Sequence, residues 1–125
     1  MSDKNVPIQR IKNKIKKFVK ERDWEQYHSP KNLGMSIAIE AAELMEIFQW
    51  LTEEQSFQLS KKQKTELEDE IADIAVYILN MCNVLNIDLS EAIAKKMIKN
   101  EKKYPAKLVK GKMHKYTHYK EKNSE

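Results

Sequence analysis

Residues 35–45 read MSIAIEAAELM, and residues 70–79 read EIADIAVYIL. Both stretches are apolar on nearly every side of a helix, which is typical of a helix buried between other helices. Each stretch nevertheless carries two acids three residues apart, Glu40 with Glu43 and Glu70 with Asp73. Residues three apart share a face of a helix, with Cβ atoms about 5–6 Å apart. The pattern therefore predicts two packed helices, each with a pair of carboxylates on one face.

These four acids need a compensating charge, because like charges in apolar surroundings repel each other and lose hydration. The second helix has only Lys31 near its start, and the third helix has no basic residue after Lys64. If the two helices pack together, one or more hard divalent cations are the simplest way to hold four carboxylates in one pocket. Histidine and cysteine are absent from the cluster, so oxygen ligation favours Mg²⁺, with Mn²⁺ as the alternative, over Zn²⁺.

Helical periodicity and capping signals predict four helices in the chain. The predicted bounds are Val6 to Arg22, Pro30 to Leu51, Lys61 to Leu85, and from Asp88 to just before Pro105. Three of the starts carry a capping residue: Ser29 before a proline, Ser60 three residues before Gln63, and Asp88. The polar segment 52–59 is predicted to be a loop. Four helices with short connections favour an all-α four-helix bundle over residues 1–105, followed by a basic tail over 106–125 that orders on binding.

Length and composition agree with one globular domain. The chain has 125 residues, of which 41% are hydrophobic and 34% charged, with only two glycines and three prolines. So few turn-forming residues favour long helices over a sheet, and the single Cys82 cannot form an internal disulfide. No stretch approaches the roughly 18 apolar residues of a membrane-spanning helix, and residues 1–10 lack the apolar run of a secretory signal. We therefore expect a cytoplasmic protein without a membrane partner.

The charges are unevenly distributed along the chain. Residues 1–22 carry a net charge of +6, residues 23–94 carry −10, and residues 95–125 carry +8. The basic ends are compatible with phosphate binding, with ordinary solvated surface, or with a non-enzymatic helical protein that binds nucleic acid. Neither a nucleic-acid-binding protein nor a purely structural helical adaptor would need acids on apolar helices, so we do not expect nucleic acid as a partner.

The acidic spacing resembles the metal-binding motif of the all-alpha nucleoside triphosphate pyrophosphohydrolases, the MazG-like group. The segments RDWEQYHSPKNL (22–33) and EIFQW (46–50) are similar to the start and end of the second helix in the dCTP pyrophosphatase branch of that group. KNEKKYP (99–105) and KYT (115–117) resemble its C-terminal segments. The resemblance covers about residues 8–118.

This resemblance implies a helical bundle that assembles as a homodimer or homotetramer. It implies conversion of a deoxynucleoside triphosphate, with dCTP favoured, to its monophosphate and pyrophosphate as part of nucleotide-pool housecleaning. The same reaction on dATP, dUTP or damaged nucleotides is the alternative. The implied metal ligands, which are also the catalytic carboxylates, are Glu40, Glu43, Glu70 and Asp73. The implied substrate-binding residues are Trp24, His28, Lys31, Asn32, Trp50, Tyr77, Asn100, Lys103, Tyr104 and Lys115.

The resemblance also suggests which part of the nucleotide each of these residues contacts. Trp24 and Trp50 match tryptophans that enclose the base, whereas His28 either contacts the substrate or braces the start of the second helix. Tyr77 lies one turn after the last acid and is placed to reach the sugar, where it would exclude a 2′-hydroxyl. Ile15 stands where mammalian members have a base-stacking histidine, so we expect looser discrimination among bases, with dATP the main competitor. The three lysines, Lys31, Lys103 and Lys115, are candidates for contacts with phosphate oxygens.

Overall fold

A computed structural model describes residues 1–112 of the chain. Its helices are α1 (Ile8–Glu21), α2 (Pro30–Phe48), α3 (Glu53–Ser56), α4 (Lys61–Leu85), α5 (Leu89–Lys103) and α6 (Ala106–Val109), with a 3₁₀ turn at Glu25–Tyr27. No strand occurs among residues 1–112. The predicted all-α class is therefore confirmed, and the four long helices lie where the periodicity predicted them.

The capping residues predicted from the sequence begin the helices as expected. The Ser29 side chain accepts a hydrogen bond from the backbone N–H of Asn32 at 3.1 Å, and Pro30 occupies the first position of α2. Ser60 and Gln63 form a reciprocal capping box at the start of α4, with distances of 3.1 and 2.9 Å. These side chains satisfy N–H groups that have no partner within the helix, and so define where each helix begins.

The end of α2 differs from the prediction. The helix ends at Phe48 rather than Leu51, and the segment predicted to be a loop contains the short helix α3. The cause is a capping box at Thr52, whose side chain accepts from the N–H of Gln55 at 3.1 Å while the Gln55 side chain accepts from the N–H of Thr52 at 3.0 Å. An N-cap residue needs extended backbone, here φ −73° and ψ 164°, so the chain must leave α2 before this residue.

The chain divides into two compact units, the first comprising Met1–Ile87 and the second starting at Asp88. Within the first unit α4 is the central helix, with α2 packed extensively against it and α1 packed less extensively. Gly34, near the start of α2, lies against Met81, near the end of α4, so the two helices run antiparallel. The buried apolar core of this unit consists of Ile15, Val19, Leu33, Leu79 and Cys82. The second unit contains α5 and α6, and the predicted boundary between domain and tail at residue 105 stays a prediction.

A buried lysine ties α1 to the end of α4. The Lys12 side chain is only 9% exposed, and its Nζ donates to the backbone carbonyl of Ile87 at 3.0 Å. In the opposite direction, Nδ2 of Asn83 donates to the carbonyl of Lys12 at 2.9 Å. Because buried polar groups are costly without partners, these two bonds fix the position of α1 along α4.

Several large apolar side chains of the first unit remain exposed. On α2, Met35, Ile39 and Met45 are each more than half exposed, and Trp50 and Phe57 beyond it are 87% and 89% exposed. Such surfaces are commonly covered by a protein partner or a ligand. Among residues 1–112, no single helix is both long and apolar enough to cross a membrane.

Candidate acidic site and adjoining cavity

The packing of α2 against α4 brings the predicted acids together. Carboxylate oxygens of Glu40, Glu43 and Glu70 all lie within 4.8 Å of one another. Glu40 and Glu70 are half-buried, whereas Glu43 is exposed. The charge of Asp73 acts on both Glu40 and Glu70, so this fourth acid is near enough to influence them electrostatically. Three of the four predicted acids therefore meet across the interface of α2 and α4, and their predicted role as a metal site stays a prediction.

Two oxygen atoms in this cluster have no hydrogen-bond partner among residues 1–112. Oε2 of Glu40 and Oε2 of Glu70 are buried, and neither accepts a hydrogen bond from any residue in the described range 1–112. The ion pairs found in that range involve other acids, on α1, at the start of α4 and on α5. A buried carboxylate oxygen without a donor or cation is strongly destabilising, so these two atoms need a ligand that the described chain does not supply.

The crowding of the acids is reflected in their proton affinity. Burial is the largest contribution to a raised pKa of Glu40, which moves from 4.5 to about 7. Donation of a proton from the protonated Glu40 to Glu70 or Glu43 raises its pKa further, as does repulsion from Glu43 and Asp73. A proton on Glu40 would be donated to Glu70 and would lower the pKa of Glu70, but burial and the neighbouring acids outweigh this effect, and the pKa of Glu70 is raised overall. A proton shared between these two carboxyls, or a cation bound by both, would engage the orphaned oxygens.

The donor set suits a hard divalent cation. The ligand atoms on offer are carboxylate oxygens, without histidine or cysteine in the cluster. Mg²⁺ and Mn²⁺ prefer such oxygens, and Mg²⁺ is usually held by few carboxylates together with water and substrate phosphates. Because Glu43 is exposed and the other two acids are half-buried, one side of the cluster is open to water and to substrate phosphates. The cluster therefore fits the predicted Mg²⁺ or Mn²⁺, which would be bound by Glu40, Glu43 and Glu70, with Asp73 adjacent.

A cavity of about 450 Å³ adjoins the acidic cluster. This volume lies within the usual range for small-molecule sites. Asp73 lines the cavity and also acts electrostatically on the cluster, so the two features share a wall. The remaining walls come from α1, α4, the segment between α1 and α2, and the N-terminus; the aromatic and apolar members include Ile15, Phe18, Trp24, Val76 and Tyr77.

Three rings in edge-to-face contact form one side of this cavity. The centroids of Phe18 and Trp24 are 5.8 Å apart at 76°, and those of Trp24 and His28 are 6.2 Å apart at 69°. The guanidinium of Arg22 lies 3.7 Å from the centroid of the Phe18 ring. Trp24 is 42% exposed, so part of its surface remains open for a ligand to cover. Aromatic walls of this kind suit a planar base, which can stack on or pack edge-on against them.

Sequence reasoning missed Asn80, which the structure places in the same cavity. It is 4% exposed, and its Nδ2 lies 2.9 Å from Nδ1 of His28. Its sequence signal is its spacing, because Glu70, Asp73, Tyr77 and Asn80 follow one another at intervals of three, four and three residues along one face of α4. A polar residue that continues a stripe begun by acids on an otherwise apolar helix is a candidate for the site.

Other predicted substrate-binding residues of the first unit lie outside the cavity walls. Nδ2 of Asn32 donates to the carbonyl of Tyr27 at 3.0 Å, which stabilises the turn before α2. Lys31 is exposed at the start of the same helix, and Trp50 is exposed beyond its end. Their predicted contacts with substrate stay predictions.

The C-terminal candidates belong to the second unit or follow the described range. Asn100 and Lys103 are half-buried near the end of α5, and Tyr104 is 40% exposed at its C-terminal cap. Nδ2 of Asn100 lies 3.8 Å from Sδ of Met97. Lys115 lies outside the described residues.

The fold and the site together define a class: an all-α protein in which two antiparallel helices hold a carboxylate cluster beside a cavity with aromatic walls. The chain belongs to the MazG-like family, whose sequence profile matches residues 35–119 and so includes all four acids. This confirms the family predicted from the residues.

Relatives in this family carry names that describe a reaction. The chain is 37% identical over 102 residues to dCTP pyrophosphatase 1 of Bos taurus and 36% identical over 102 residues to that of Homo sapiens. These matches cover 80% of this chain but 60% of each relative, so the chain spans about three-fifths of their length. A crystal structure of a pyrophosphatase from Archaeoglobus fulgidus is 44% identical, with a TM-score of 0.75, and the match covers 78% of this chain and 92% of that one.

Proposed function

We propose that this chain is a Mg²⁺-dependent nucleotide pyrophosphohydrolase that converts a deoxynucleoside triphosphate, with dCTP favoured, to the monophosphate and pyrophosphate. The observation that carries the proposal is a pair of buried oxygens, Oε2 of Glu40 and Oε2 of Glu70, which no donor from the described part of the chain satisfies and which lie beside a cavity of nucleotide-compatible size. The names of its relatives support the same reaction. Mn²⁺ is the alternative cation, and dATP, dUTP or damaged nucleotides are the alternative substrates.

In this proposal Glu40, Glu43, Glu70 and Asp73 hold the cation. A bound divalent cation supplies charge neutralisation at the phosphates and makes a nearby water more acidic. The chain's own part is to present carboxylates in ionised form, and cation binding therefore releases the proton that the raised pKa of Glu40 retains near neutral pH. The exposed Glu43 leaves the cluster open on the side from which phosphates arrive.

The order of side chains along α4 supports the placement of the rest of the nucleotide. Asp73 lies at the acidic cluster, Tyr77 is one turn further along the helix, and Asn80 is almost one turn beyond that. All three line the 450 Å³ cavity. This order matches phosphate, sugar and base, so Tyr77 is assigned to the deoxyribose and Trp24 to the base. Phosphate contacts are assigned to Lys31, Lys103 and Lys115, with Asn32, Trp50, Asn100 and Tyr104 as further substrate contacts implied by the family resemblance.

We also propose that the protein acts as a homodimer or homotetramer in the cytoplasm. The support is the exposed apolar surface of the first unit, which includes Met35, Ile39 and Met45 on α2. Covering such a surface with a second copy would remove apolar area from water, at roughly 25 cal/mol per Å². Trp50 is 87% exposed in the single chain, so burial by a second copy would also bring it into a packed environment.

The proposed reaction is tested with a panel of nucleoside triphosphates in the presence of Mg²⁺, with release of pyrophosphate as the measurement. We expect dCTP to release pyrophosphate, and a chelator to abolish the release. A matched pair of variants, Glu43→Gln within the cluster and Glu68→Gln on the exposed side of α4, separates the metal site from general surface charge. Absence of pyrophosphate release from every triphosphate with Mg²⁺ or Mn²⁺ would reject the enzyme, and salt-sensitive binding of nucleic acid would then favour the non-enzymatic alternative.

A further inference from the structure

A second cavity of about 280 Å³ lies beside the larger one. Three side chains line both cavities: Val19 from α1, His28 from the segment before α2, and Asn80 from α4. The other walls of the smaller cavity are Lys16, Glu25, Asn83 and Val84. The two cavities are therefore neighbours, and the three shared side chains stand between them.

Two contacts hold the His28 ring in this dividing position. Nδ2 of the buried Asn80 is 2.9 Å from Nδ1 of the ring, and an amide nitrogen can only donate, so Nδ1 accepts and the ring proton sits on Nε2. On another side, the ring meets Trp24 edge to face. His28 and Asn80 are 52 positions apart in the chain, so their bond joins the segment before α2 directly to α4. A ring fixed at one edge by a buried amide and packed against a second ring has little freedom to move aside.

His28 and Asn80 lie at the end of the larger cavity that is far from the acids. Asp73, at the acidic end, and Asn80 are seven residues apart on α4, which corresponds to about 10 Å along the helix axis. If the phosphates lie at the acids, the sugar lies near Tyr77 and the base extends toward Asn80 and His28. The size of base that fits then depends on whether His28 stays in place.

We propose that His28, held by Asn80, is a partition that sets base size: it favours a one-ring pyrimidine over a two-ring purine, and so limits turnover of the expected competitor dATP. This inference rests on the proposed function and deepens it. Removing or releasing the ring joins the smaller cavity to the larger one and creates room for a second ring. At position 15 this chain has the buried Ile15, which cannot stack on a base as an aromatic ring does. The partition would discriminate between bases by their size, without that stacking.

The test is the ratio of kcat/KM for dATP to kcat/KM for dCTP, measured with Mg²⁺ on the full chain. His28→Ala removes the partition, and we expect the ratio to rise by about tenfold to 100-fold, the range that pocket shape confers on substrate choice. Asn80→Leu keeps the branched shape of the side chain but removes the donor, so the ratio should rise as well. Asn80→Asp should restore a low ratio, because a carboxylate accepts from Nδ1–H and holds the ring in its other tautomer.

Asn83→Leu is the matched control. Asn83, like Asn80, is an asparagine of α4 that makes one hydrogen bond to another segment, in this case to the Lys12 carbonyl in α1. It lines only the smaller cavity, so it is not part of the partition. We expect it to lower stability and to leave the ratio unchanged. An unchanged ratio in folded His28→Ala and Asn80→Leu would overturn the proposal, as would an equal rise in Asn83→Leu.

Two readouts that do not depend on turnover separate this inference from the proposed function. Side-chain ¹⁵N spectra should show the His28 proton on Nε2 in the wild type and on Nδ1 in Asn80→Asp. Calorimetric titration should show that His28→Ala gains affinity for dAMP relative to dCMP. If the wild type releases no pyrophosphate but these binding preferences hold, the reaction fails and the partition stands. If the wild type releases pyrophosphate but His28→Ala gains no affinity for dAMP relative to dCMP and no dATP turnover relative to dCTP, the partition fails and the reaction stands.

Discussion

Glu40→Gln removes a carboxylate whose ionised form the fold disfavours. In the folded chain the pKa of Glu40 is raised from 4.5 to about 7, first by burial and then by Glu70, Glu43 and Asp73. When the pKa of a group is higher in the folded than in the unfolded state, the group stabilises the fold fully at pH values below its unfolded-state pKa. This stabilisation is lost as the pH rises through the folded-state pKa. For metal-free protein, the contribution of Glu40 is therefore present below pH 4.5 and is lost by about pH 7 and above.

The size of this effect follows from the two pKa values. At about 1.4 kcal/mol per pH unit the loss could reach about 3 kcal/mol. The cluster is partly open to solvent, and screening reduces the expected loss to on the order of 1–2 kcal/mol. Glutamine keeps the shape without the charge, so we expect metal-free Glu40→Gln to gain on the order of 1–2 kcal/mol over the wild type near pH 8.5. The gain should fall toward zero near pH 5.

The assay is thermal and urea unfolding of chelator-treated protein at both pH values, followed by circular dichroism. A gain of this size corresponds to about 3–8 °C in Tm for a chain of this length. Added Mg²⁺ should make the wild type the more stable of the two proteins. A ligand at about 100 times its Kd stabilises the folded wild type by about 2.7 kcal/mol, and Glu40→Gln should lose most of that stabilisation. Glu68→Gln, an exposed acid on α4, should follow the wild type throughout. The reasoning is refuted if metal-free Glu40→Gln is less stable than the wild type near pH 8.5, or if Mg²⁺ stabilises both proteins equally.

Three further predictions concern turnover, base binding and assembly. Glu43→Gln and Asp73→Asn should each abolish pyrophosphate release while helix content by circular dichroism is retained; more than about a tenth of wild-type activity in both variants would contradict the metal assignment. Trp24→Ala and Trp50→Ala should raise KM for dCTP by about five- to 150-fold, from a stacking contribution of about 1–3 kcal/mol, with a much smaller change in kcat. Steady-state kinetics that show unchanged KM and lowered kcat in both would place the base elsewhere. Sedimentation at micromolar concentration should show a dimer or tetramer, because α2 exposes Met35, Ile39 and Met45; a monomer alone would contradict the proposed assembly.

Much of the fold was predictable because its signals are local. A capping box acts within three residues, so Ser60 and Gln63 indicate the start of α4 without knowledge of the rest of the chain. The acid pairs are equally local, because the pitch of a helix alone places residues three apart on one face. The end of α2 was predicted less well, at Leu51 rather than Phe48, because apolar residues continue past Phe48. The capping box at Thr52, which stops the helix, lies in the segment that was predicted to be a loop.

The four acids look alike in the sequence, whereas the fold makes them different. Two i, i+3 pairs on apolar helices indicate a shared site, but they do not show which oxygens are buried. Packing of α2 against α4 buries Oε2 of Glu40 and of Glu70 without a donor from residues 1–112 and leaves Glu43 exposed. Proton affinity follows from that burial, and burial depends on side chains that are distant in sequence.

His28 and Asn80 show the same division between local and distant information. The sequence indicates a histidine before a helix start and an asparagine late in an apolar helix, and each is compatible with an ordinary structural role. Their hydrogen bond spans 52 positions, and it forms because the antiparallel packing of α2 and α4 brings the start of one helix to the end of the other. Periodicity and caps report only on interactions within about one turn of helix, so a wall shared by two cavities becomes visible only when the helices are packed.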